Sequence, residues 1–140
     1  MKIIGVFVVL FFAMVEDVES RIIRNVWVIA IFVLHLALSW EKGTGTVVLY
    51  VTKTVLWFLV LLVLYLLRGV GAGDVKLISV LVSGLQGVET RLFWTASLVC
   101  VGLLAAFKVW RKESRAVVPL ALPMWFGYVT VLIHKGGVYI

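Results

Sequence analysis

The sequence predicts an all-α fold: a polytopic membrane protein, a bundle of about six transmembrane helices, some of them short. Three observations carry this. Hydrophobic residues make up 64% of the 140 residues, with a mean hydropathy of +1.17. Soluble domains run at roughly 45–50% apolar, and a small domain has too much surface to hide that excess from water. The apolar residues also fall into six runs broken by short polar stretches. Finally, the basic residues are shared unevenly between alternate loops, as membrane topology requires.

The runs span residues 3–16, 25–40, 47–67, 75–88, 92–110 and 117–134. A helix needs about 20 residues to cross a bilayer, with a range of about 17–25, and the third, fifth and sixth runs fit. The first, second and fourth are short; they extend into the interface, thin the membrane or pack inside the bundle. The first run could also be a signal peptide, with Lys2 ahead of it and Ala13-Met14-Val15 near its end, but its basic region is weak and more membrane follows. A retained helix is expected, and residues 1–140 form one domain. Cys100 is the single cysteine, so neither an internal disulfide nor a cysteine zinc site is available.

Loops after the first, third and fifth runs carry Arg21, Arg24, Arg68, Lys76, Lys108, Arg111, Lys112 and Arg115. The other side carries Lys2, Lys42, Arg91 and Lys135, while Lys53 lies inside a run. Cytoplasmic loops hold the excess of Lys and Arg, so both termini are expected outside the plasma (inner) membrane, with the odd-numbered loops in the cytosol. The same placement accounts for the net charge of +6 without a nucleic-acid partner.

The acidic residues are Glu16, Asp17, Glu19, Glu41, Asp74, Glu89 and Glu113. Asp74 stands out, behind three glycines and between two apolar runs. It and the cluster at Glu16, Asp17 and Glu19 reach the same cytosolic face, and ionisable groups at such depth are rare and tend to be functional. Two facing carboxylates share a proton: one stays an acid while the other acts as a base. Together they activate water and protonate a leaving amine, aspartic peptidase chemistry that needs no metal and no cofactor. Plainer readings stand beside this one. Gly69 ends one helix and Asp74 N-caps the next, or Asp17 and Asp74 pair separately with Arg21 and Lys76. The glycines at 69, 71 and 73 remove bulk and permit positive φ. A nucleotide loop in Gly69–Asp74 is excluded, since the fingerprint needs a preceding strand and different spacing.

The stretch GAGDVKL, residues 71–77, resembles the GxGD motif of the prepilin peptidases, polytopic membrane aspartic proteases. DVESRIIRN, residues 17–25, is similar to that family's first aspartate followed by a polar stretch ending in Ile-Pro-Asn, with Ile23 and Asn25 matching. RAVVPLALPMWFGY, residues 115–128, is similar to its R-x-x-P-x-x-P…G segment. The chain departs at Arg24, where the family has proline, and at Val18 and Glu19. A missing proline is expected to free the turn after Asp17. The resemblance implies that Asp17 and Asp74 are catalytic, that Gly71 and Gly73 shape the loop, and that the substrate is a prepilin or pseudopilin whose basic leader is cut at the cytoplasmic face. It implies a peptidase-only form without methyltransferase activity. The alternatives are a non-catalytic assembly subunit or degenerate homologue, and a protease cutting within membrane segments.

Among the remaining polar residues, Lys76 tunes the acid or meets lipid headgroups, Asn25 closes the first motif, and Glu19 is placed to contact a basic leader. His35 is expected to be a packing or interfacial histidine and Lys53 to snorkel. The tryptophans are expected mostly near span ends, as an aromatic belt, and Pro119 and Pro123 to kink the sixth run.

Overall fold

A computed structural model describes residues 2–20, 22–67, 70–111 and 120–137. Among these the chain is all-helical: α1 (Lys2–Ser20), α2 (Asn25–Trp40), α3 (Thr44–Leu66), α4 (Ala72–Ser83), α5 (Val88–Trp110) and α6 (Ala121–Gly137). Each predicted run has its helix. The second agrees at both ends, while the fourth starts three residues early and stops five short. It stops because Gly84 caps it and Gly87 then makes the turn into α5 at φ 47°, a backbone glycine adopts far more readily than other residues. Leu85 is buried beyond that end, which explains why the apolar run outlasts the helix.

The short α4 is the centre of the bundle. Val75 and Leu77 through Ser83 are all buried, so of the three ways to accommodate a short apolar helix it packs inside. Its two buried serines turn their hydroxyls back onto the helix, Ser79 to the Val75 carbonyl at 2.6 Å and Ser83 to the Ser79 carbonyl at 2.5 Å, which leaves no polar group exposed to the apolar neighbours. Around it, α1 presents Val6, Leu10 and Ala13, each fully buried. Their spacing continues to Asp17 on the same helix face. On α6, a side chain at Gly127 would overlap Ser97 Oγ and come within 2.7 Å of the Phe93 carbonyl of α5, so the glycine sets how closely these helices approach.

The long helices turn the other way. α3 and α5 have 23 residues each, with mean hydropathies of 2.4 and 1.9 over their membrane-length windows, of which only 11% is buried. At about 1.5 Å per residue each is roughly 35 Å long, enough for a hydrocarbon core of about 30 Å. Val55, Leu56, Leu59, Val60 and Val63 are more than half exposed along α3. The core helix of a soluble protein would bury such residues; here they form a continuous apolar exterior, the mark of a surface that meets something other than water.

Two expectations change. Trp40 and Trp110 do end helices and are exposed, but Trp57 and Trp94 meet each other at 6.0 Å, and Trp125 packs against Phe7 and Phe11 of α1, so half the tryptophans serve packing. Pro123 stands in the first turn of α6, where its missing N–H has no intrahelical acceptor to lose, and it has no kink to make there. Pro119 lies outside the described residues.

Candidate functional site

Asp17 closes the buried face of α1 and is only 6% exposed. One carboxylate oxygen accepts the backbone N–H of Ala121 at 3.1 Å. Ala121 is the first residue of α6, so the carboxylate sits where a helix leaves N–H groups without partners and where its dipole favours negative charge. Burial nonetheless dominates and raises the Asp17 pKa above the ordinary carboxylate range, the Ala121 bond offsetting only part of the rise.

Asp74 belongs to the first turn of α4, three residues after its N-cap, Gly71. Its carboxylate reaches back to the Gly71 N–H, one half of a capping box. The expected N-cap role is therefore corrected: Gly71 is the cap residue and Asp74 serves it from inside the helix. The reach is possible because Gly71 has no side chain; a Cβ there would stand 2.9 Å from Asp74 Oδ2. The backbone of Gly71 is extended, φ −74°, and Gly73 is helical, so these two glycines provide close approach and not positive φ. Gly73 lets the α1–α2 turn down onto α4, where its Cβ would lie 3.2 Å from Ile23 Cβ. Gly69 lies outside the described residues.

Asp17 and Asp74 line one cavity of about 220 Å³, closed by Ile22, Ile23, Gly71, Ala72 and Gly73. A water molecule takes about 30 Å³ of liquid, so the space holds several. Both carboxyls stand just beyond the apolar runs 3–16 and 75–88. Burial, and then the charge of Asp17, lift Asp74 to about 6, against the pull of the Gly71 N–H. Among the described residues the cavity walls add no side-chain cation, and a carboxylate paired with one would have moved the other way. Such a pair can hold one proton between them at a pH above the ordinary carboxylate range, and so offer an acid and a base to whatever enters.

The other expected residues surround the cavity without lining it. Lys76 Nζ donates to Asn25 Oδ1 at 3.1 Å, tying the start of α2 to α4, so the expected Lys76–Asp74 pairing gives way to a Lys76–Asn25 bond. Glu19 is exposed one turn or less from Asp17, and Arg21 is outside the described residues. Arg24 corrects an expectation. It has the backbone of a proline, φ −69° and ψ 140°, and its guanidinium pairs with Glu16, whose second oxygen accepts the indole N–H of Trp27. The turn after Asp17 is thus held by an ion pair and an indole where a ring would have held it. Ala121 and the Glu16–Arg24–Trp27 cluster are the parts sequence reasoning missed. The only local signal for the second was a glutamate eight residues before an arginine, across a turn.

No curated protein and no solved structure matches the chain. The model of the type IV leader peptidase family matches residues 4–107, a stretch that includes both aspartates, the α1–α2 turn and the Gly71–Leu77 segment that opens α4, and the chain belongs to that family.

Proposed function

We propose that the chain is a polytopic membrane aspartic endopeptidase that cuts the basic leader from type IV prepilins or pseudopilins at the cytoplasmic face, with Asp17 and Asp74 as its catalytic pair. The observation that carries this is the shared cavity: two carboxyls from helices α1 and α4, both shifted upward and both held by backbone N–H groups. The ionised member takes a proton from water, and the water oxygen attacks the scissile carbonyl carbon. The protonated member gives its proton to the leaving amide nitrogen as the C–N bond breaks, and the pair again holds one proton. Family membership supports leader cleavage, and the exposed apolar faces of α3 and α5 support insertion in a bilayer. The excess of Lys and Arg in the loops at the Asp17 and Asp74 end supports a cytosolic placement, where Glu19 is available to a basic leader.

Co-expression with a prepilin tests the proposal. Wild type shortens the pilin by its leader, and Asp17→Asn and Asp74→Asn each leave it full length. Processing at the wild-type rate by either variant defeats the pair. A wild type that cleaves nothing, yet is needed for pilus assembly, points to the non-catalytic assembly role.

A further inference from the structure

A second, larger cavity of about 410 Å³ opens at the other end of the bundle, between the α2–α3 turn, the α4–α5 turn and the last turns of α6. Its cations are Lys42, Lys53 and Lys135. Glu89 takes Lys135 at 2.9 Å, and no ion pair joins Lys42 or Lys53 among the described residues. Against them lies His35, 5% exposed, which lines the cavity while its Nε2 is buried without a hydrogen-bond partner. The imidazole is built in. It stacks on the Tyr50 ring at 5.7 Å and 11°, and it occupies the space that any side chain at Gly84 would need. A fixed, buried ring with an unsatisfied nitrogen, lining the same cavity as two lysines that no ion pair joins among the described residues, is an incomplete polar cluster, and an anion completes it.

The rest of the wall states what carries the anion. Leu38, Leu85 and Val131 line the cavity with Leu49, and Leu49 is also 50% exposed on the outer apolar face of α3. The cavity therefore runs from a cationic pocket directly onto the surface that faces lipid. We infer that it binds the phosphate of an anionic phospholipid headgroup, with Lys42 and Lys53 on the phosphate oxygens, the His35 Nε2 position hydrogen-bonded to the headgroup, and the first acyl carbons along Leu38 and Leu49. Free phosphate offers the same oxygens but has no use for the apolar wall. The inference rests on the membrane placement above, and not on the chain cleaving anything.

Native mass spectrometry of the full chain in detergent, with equimolar phosphatidylglycerol and phosphatidylcholine and no pilin, tests it. Wild type retains a phosphatidylglycerol adduct in preference to phosphatidylcholine, and millimolar inorganic phosphate does not displace it. The Lys42→Gln, Lys53→Gln double variant binds phosphatidylglycerol roughly ten- to thirtyfold more weakly, at an unchanged melting midpoint without lipid. Arg111→Gln, at the opposite end, keeps the adduct. Equal retention of both lipids, an undiminished adduct in the double variant, or an equal loss in Arg111→Gln overturns the site. Displacement by free phosphate overturns the lipid as its occupant.

Discussion

Two cavities at opposite ends of one six-helix bundle treat charge differently. In the smaller, the carboxylates of Asp17 and Asp74 meet backbone N–H groups from the starts of α6 and α4. In the larger, Lys42 and Lys53 meet an aromatic-stacked histidine and apolar walls. A backbone N–H orients a carboxylate without cancelling its charge or donating its proton. The acidic cavity is thereby left able to pass protons, whereas the basic one is left with fixed positive charge. In the roles proposed for them, the groups that titrate are held by neutral dipoles and the groups that bind keep full charges.

The widest test of this contrast is cleavage itself. Asp17→Asn and Asp74→Asn are each expected to lower leader processing by at least about 10²–10⁴-fold, the usual contribution of a positioned acid or base, measured as initial rate on a purified prepilin. Lys42→Gln and Lys53→Gln are expected to stay within a factor of about two in detergent. Comparable losses at both ends would erase the distinction. Next in size is Gly71→Ala. Its new Cβ, 2.9 Å from Asp74 Oδ2, forces the carboxyl aside, and a displacement of that order costs about 10²-fold in rate, in kcat with KM little changed. Gly45→Ala, where a Cβ meets nothing within 4 Å, is the matched control. A fully active Gly71→Ala would show that the Gly71 N–H does not aim Asp74.

How much of this the sequence shows depends on the range of the interaction. Apolar runs and glycines are local, so α2 is legible at both ends, and Asp17 and Asp74 are legible as charges beside spans. The N-terminus of α6 beside Asp17 is not, because Ala121 is 104 positions away and only the packed bundle brings it there. The fate of α4 was open because the same apolar run suits a thinned membrane or a buried centre; burial of every position from Val75 to Ser83 except Lys76 decides it. His35 reads in sequence as a histidine lacking an acidic partner at its depth. The structure agrees that it is packed, then adds lysines from the α2–α3 turn, from within α3 and from the last turn of α6 that no local pattern joins. Neighbours Glu16 and Asp17 look alike in sequence, yet the first is taken by the Arg24 guanidinium and the Trp27 indole while the second meets the backbone N–H of Ala121.

That pair of neighbours gives a smaller prediction. If the Glu16–Arg24 bond stands in for a proline ring, Glu16→Ala loosens the turn after Asp17 and lowers processing by about tenfold, a modest misplacement of one carboxylate. Arg24→Pro alone is close to neutral, because residue 24 already has φ −69° and an exposed ion pair contributes only about 0–1 kcal/mol. Combining the two is the informative step: proline restores most of the activity that Glu16→Ala removes. Failure of proline to rescue would mean that Glu16 acts on substrate and not on the turn.

The smallest expected effect concerns stability and distinguishes a titrating carboxylate from a merely buried one. Asp74 is lifted from 3.8 to about 6 by burial and by the charge of Asp17. A carboxylate raised in the folded state stabilises while protonated in both states, below about pH 4. That advantage is lost as pH rises and is gone above about 6. Wild type is therefore expected to soften between pH 4 and pH 6–7, and Asp74→Asn, which keeps an oxygen for the Gly71 N–H and has no proton to lose, to soften less. Their melting midpoints should coincide near pH 4 and separate by a few degrees at pH 8, with the inactive variant the more stable. Lys42→Gln should show no such divergence, since Lys42 lines the other cavity and leaves Asp74 and its surroundings unchanged. Parallel curves for wild type and Asp74→Asn from pH 4 to pH 8 would mean that Asp74 ionises as freely as a surface carboxylate, and the acid–base asymmetry of the cavity would go with it.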